Sequence, residues 1–97
     1  MDAKYRDLTA FLRQPASAFR STGPGATAEI LALAEVFDHD TPTNQDRQLA
    51  VKILQNAEKH FRSMEREFPN AAVQILRVRV LQSMLNMEIN YFTKDDT

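Results

Sequence analysis

Few residues in this chain have the type and spacing to do chemistry. Histidine occurs twice, at His39 and His60, and cysteine not at all. Without cysteine there are no thiolate nucleophiles, no Cys-ligated metals and no disulfides. His39 stands between Asp38 and Asp40. That triplet could act as a weak metal or acid–base cluster, but a polar interhelical loop with capping acids explains it more simply. His60 has no ligand-spaced neighbour and falls at the edge of an apolar stripe, so it reads as a boundary residue. Arg77 and Glu88 are three helical turns apart and lie on one line of a helix. They could face a bundle interior and bind an anionic ligand. The plainer reading puts them at a rim, paired with a neighbouring helix or a second copy. Gly23-Pro24-Gly25 lacks the lysine and the preceding strand of a phosphate loop. No catalytic, metal or cofactor site is expected.

Composition narrows the classes further. A formal net charge of −1 on 97 residues gives no global field to attract nucleic acid or an anionic membrane. Basic residues alternate with acids, so no basic stripe forms for DNA. The opening Met1-Asp2-Ala3-Lys4-Tyr5-Arg6-Asp7 is too polar for a signal peptide. No apolar run approaches the ~20 residues of a membrane span. The expected location is the cytoplasm.

The elements that position these residues are all helices. The expectation is an all-α fold, a small helical bundle forming one domain over 1–97. Two shorter helices occupy 1–40, an antiparallel hairpin of two long helices occupies 42–93, and 94–97 is a polar tail. Tyr5, Leu8, Phe11 and Leu12 have helical spacing within 2–14, and Pro15 stops that helix. A short turn around Phe19 and a Gly/Pro loop over 21–25 follow. Ile30, Leu33, Ala34 and Phe37 then mark a helix over 26–37, which ends in a loop at Asp38-His39-Asp40-Thr41. Thr41 suits an N-cap and Pro42 a first helical position. The third helix is expected over 42–67, with Leu49, Ala50, Ile53, Leu54, Ala57, Phe61, Met64 and Phe68 in one stripe and Val51 outside it. Glu58 and Arg62 pair at i, i+4 on its wet side. Pro69 ends it, and so short a connection makes the next helix its antiparallel neighbour.

That fourth helix, over 70–92, carries two apolar stripes. One holds Val73, Leu76, Val80, Met84, Met87 and Tyr91; the other holds Ala71, Ile75, Val78, Leu81, Leu85, Ile89 and Phe92. A helix with two stripes must be covered from two sides, and the third helix covers one. The N-terminal forty residues, a second copy or another protein must cover the rest, because a patch of several hundred Å2 is seldom left in water. The expected partner-binding residues are Val80, Met84, Leu85, Met87, Tyr91 and Phe92, in a chain expected to form a homodimer.

Three resemblances accompany this reading. Ala57, Phe61, Met64 and Pro69 resemble the second helix and end-turn of a tetratricopeptide repeat, which implies a peptide groove and a chaperone-like adaptor. The chain departs from that pattern upstream, where Gln45 and Gln48 replace the glycine and the aromatic residue. The size is similar to that of small helical chorismate mutases, but Arg6, Arg13 and Lys52 lack that family's cationic spacing. The layout of a modest N-terminal part and two long helices is similar to small bacterial antiactivators, which silence a quorum-sensing transcription factor. The expected function is a non-enzymatic regulator or inhibitor of that antiactivator-like kind. Its partner would be another protein, a transcription factor or a secreted or effector protein. The alternatives are the adaptor and a ligand-binding or enzymatic bundle using Arg77 and Glu88.

Overall fold

The computed structural model describes residues 5–13 and 24–95. The expected turn around Phe19 and the last two residues of the tail lie outside them. The chain is all-α, in the order α1 (Arg6–Leu12), α2 (Pro24–His39), α3 (Asn44–Ser63) and α4 (Asn70–Asp95). It divides into two compact units, Met1–Thr43 and Asn44–Thr97.

In the first unit α1 packs on α2. Leu8, Phe11 and Leu12 are buried, as are Ile30, Leu33, Ala34 and Phe37. The Tyr5 ring meets Phe37 edge-on, with centroids 4.9 Å apart. Helix α2 starts two residues before the expected Ala26, because Pro24 is preset for a first helical position. It also runs two residues past Phe37, so Asp38 and His39 are helical and not in a loop. The Asp40 amide closes that last turn on the Val36 carbonyl at 3.0 Å.

Asp38 is tied to α1. The Arg13 guanidinium pairs with its carboxylate and also with Glu35 at 2.8 Å. Arg13 holds the Asp38 carboxyl below its usual range, against the opposing pull of burial, and Thr9 contributes a further hydrogen bond. A carboxyl lowered in the folded state stabilises the fold above its unfolded pKa, roughly 4. That stabilisation is lost as pH falls through the lowered folded value. Asp38→Asn should therefore destabilise this unit at pH 7, and the difference from wild type should shrink below about pH 4. Urea titrations at the two pH values, followed by tyrosine fluorescence in a Tyr91→Phe background, check this; an unchanged difference would place the pH response elsewhere.

In the second unit α3 and α4 form a close hairpin. Its buried side chains are Ala50, Val51, Leu54, Ala57 and Phe61 from α3 and Ala71, Ile75, Val78, Leu81 and Leu85 from α4. Helix α3 begins at Asn44 and not at Pro42, so Thr43 precedes its first residue in place of Thr41. It ends at Ser63, and irregular turns over 64–67 replace the expected last helical turn. There the Phe68 and Glu67 amides both bond to the Met64 carbonyl, at 3.0 and 3.1 Å. Pro69 has no amide to continue a helix, and the Ala71 amide bonds back to Phe68 at 2.9 Å to start α4.

The buried face of α3 is rotated from the expected stripe. Leu49 is 43% exposed, whereas Val51 is only 8% exposed. Arg47, one turn before Val51 on the same side, is buried with it. Helix α4 extends to Asp95, three residues past the expected end, so Lys94 is helical and not part of a frayed tail. Among the described residues no helix is long and apolar enough to cross a membrane.

Candidate functional site

The two stripes of α4 have different fates. The stripe of Ala71, Ile75, Val78, Leu81 and Leu85 is buried, with Ile89 half-buried after it. These residues recur every three or four positions and face α3 as a continuous row. The second stripe is in water. Val73, Leu76, Val80, Met87 and Tyr91 are about two-thirds exposed, with Met87 highest at 72%. Met84 is half-buried between them. The exposed row spans about 27 Å at ~1.5 Å per residue.

The six expected partner-binding residues therefore separate. Val80, Met87 and Tyr91 lie on the open face, with Met84 at its margin. Leu85 is completely buried in the hairpin core. Phe92 is 36% exposed and holds an edge-to-face contact with Tyr91, centroids 5.2 Å apart. Its ring face is covered by the Arg47 guanidinium at 4.3 Å, a cation–π distance. Phe92 thus belongs to the free end of the hairpin.

That end is held by polar groups. Arg47 Nε lies 3.8 Å from Glu88 Oε1, and both side chains are largely buried. Asn44 Oδ1 accepts from Arg47 at 3.3 Å, and the Asn44 amide donates to Thr93 at 3.3 Å. Sequence reasoning missed Arg47, because apolar periodicity is blind to a buried cation. Nearer the turn, the Gln82 amide donates to Glu58 at 3.0 Å, and Arg62 donates at 2.9 Å. These two donors hold the Glu58 carboxyl below its usual range, Gln82 more than Arg62.

The expected chemical candidates do not converge on one site. Glu88 faces Arg47, and Arg77 is half-buried three turns away on the same helix. Asp38 is engaged by Arg13, while the exposed His39 meets Glu35 with Nε2 at 3.3 Å. Glu35 was not singled out by the sequence pattern. His60 is half-buried with its ring edge-on to Phe61 at 6.1 Å. Among the described residues no group of three or more His, Asp or Glu side chains could hold a metal.

Shallow concavities open on α3, one lined by Gln45, Gln48, Leu49, Val51, Lys52 and Gln55. A second, of about 370 Å3, is lined by Gln55, Glu58, Lys59, Arg62 and Gln82. Ligand pockets bury most of their ligand, which such open concavities do not. No family model, curated protein or solved structure matches the chain.

Proposed function

We propose that this chain is a non-enzymatic interaction module, a small helical regulator or inhibitor that docks on proteins through the open face of α4. The observation behind this reading is the exposed row of Val73, Leu76, Val80, Met87 and Tyr91. Five large apolar side chains in one line leave on the order of 500 Å2 of apolar surface in water, at roughly 100 Å2 each. Patches of that size on soluble proteins mark interaction sites. Methionine suits such a face, because its unbranched thioether adapts to different surfaces. Tyrosine suits it because an aromatic body with a polar tip anchors interfaces. An action of the antiactivator kind, or as a helical adaptor, needs no more than this face. The reading as a ligand-binding bundle gains no support, since Glu88 is engaged by Arg47 in the hairpin.

The test is capture at low chain density by wild type and by the double variant V80E/M87E, repeated with the purified captured protein. Wild type should retain it. The variant should bind at least about tenfold more weakly, or 1.4 kcal/mol, while keeping its helical circular dichroism. Equal capture by both would sink the reading.

A further inference from the structure

We propose that the open face of α4 pairs with the same face of a second copy of this chain, the two helices running antiparallel. The proposal rests on the reading of α4 as a docking face and names its occupant.

The first argument is spacing. Val73, Val80 and Met87 recur every seven residues, as do Arg77, Met84 and Tyr91. The two rows alternate in steps of four and three, the pattern of a helix–helix seam, and run through about three heptads. Since α3 covers the opposite side of α4, the seam is available to a helix from another molecule.

The second argument is a gradient of size along the face. The apolar residues of its N-terminal half are Val73, Leu76 and Val80, and those of its C-terminal half are Met84, Met87 and Tyr91. In a parallel pair, valine would meet valine and tyrosine would meet tyrosine, leaving a gap at one end and crowding at the other. An antiparallel pair with its twofold axis near Gln82 sets Val80 against Met84 of the second copy and Val73 against Tyr91. In these two pairs a long side chain meets a short one, as close packing requires, and the third seam pair sets Arg77 against Met87.

Charge selects the same orientation. Arg77 is the one charged residue within the seam rows. A parallel pair would place the two Arg77 guanidinium groups in one layer. The antiparallel pair opposes Arg77 to Met87 and keeps the two cations about ten residues apart, roughly 15 Å along the axis.

Area is the fourth argument. The apolar row contributes on the order of 500 Å2 per copy, or about 1,000 Å2 for the pair, at the threshold of a specific interface. Pairing at that threshold is reversible on dilution.

Light scattering over a dilution series should show a mass near twice 11.1 kDa that falls to 11.1 kDa when dilute. V80E/M87E should remain at 11.1 kDa throughout, with unchanged helicity. Orientation is read by disulfides, since the chain has no cysteine of its own. On mild oxidation a mixture of Val73→Cys and Tyr91→Cys chains should give the mixed disulfide, with the 73–73 and 91–91 products lost. A mass of 11.1 kDa persisting to millimolar concentration overturns the pairing. So does a dimer that survives V80E/M87E, or a dominant 73–73 product. A persistent monomer that still captures proteins through Val80 and Met87 overturns the pairing alone. A dimer lost in V80E/M87E, with no face-dependent capture, overturns the docking function alone.

Discussion

Leu85→Asp should unfold the hairpin, whereas Met87→Asp, half a turn away on the same helix, should leave it folded. Leu85 is fully buried and Met87 is 72% exposed. At Leu85 the change removes a packed side chain, worth about 2–5 kcal/mol even for alanine. It also forces a carboxylate into the buried core of the hairpin. The total exceeds what a hairpin with a stability of roughly 5 kcal/mol can absorb. At Met87 the carboxylate stays in water, so the cost to a dilute monomer should stay within about 0.5 kcal/mol. Circular dichroism with urea titration reads both. A folded Leu85→Asp would mean that the two stripes of α4 are exchanged relative to α3.

Arg47→Ala should cost about 3 kcal/mol, the largest effect expected of any single polar side chain. Arg47 is buried, faces Glu88 across the hairpin and stacks on Phe92. Truncation leaves the Glu88 carboxylate without its guanidinium partner in a largely dry site, which costs about 3–5 kcal/mol in buried pairs. The partial exposure of Glu88 keeps the effect at the lower end. Replacing both residues by apolar ones of similar volume, as in R47M/E88L, should recover most of the loss, since desolvation of the pair offsets much of its attraction. The double-mutant cycle isolates the coupling. Additive losses at the two positions would show that Arg47 acts through Phe92 and Asn44 alone.

These two experiments fall on either side of what the sequence makes legible. The hairpin was legible because Leu54, Ala57 and Phe61 on one helix and Val78, Leu81 and Leu85 on the next repeat at helical spacing, with Pro69 between them. The presence of two stripes on α4 was equally plain. Which stripe α3 would take was not, because both are apolar and periodicity carries no record of the facing helix. Hence Leu85 and Phe92 were grouped with Val80 and Met87, although their surroundings differ. The rotation of α3 was hidden for a related reason: a buried Arg47 looks polar in a pattern, so Val51 reads as an outlier when it belongs to the core. Helix ends shifted by two or three residues where a proline or threonine offered more than one start, as at Pro24 and Thr43. The Asp38-His39-Asp40 triplet reads as a polar loop because three polar residues adjoin in sequence, whereas α2 runs on through His39. On a helix, neighbours point 100° apart, which sends Asp38 to Arg13 and leaves His39 in solvent.

The division of labour on α4 also bears on how such a chain can change. One side of the helix is constrained by the fold through Ile75, Val78, Leu81 and Leu85. The other side is not, so substitutions at Val73, Leu76, Val80 or Met87 change the exposed surface without endangering the hairpin. Under the proposed docking role, binding could be retuned in single steps that each leave a folded protein. In that role, a lineage carrying this helix could exchange one target for another without passing through an unstable ancestor.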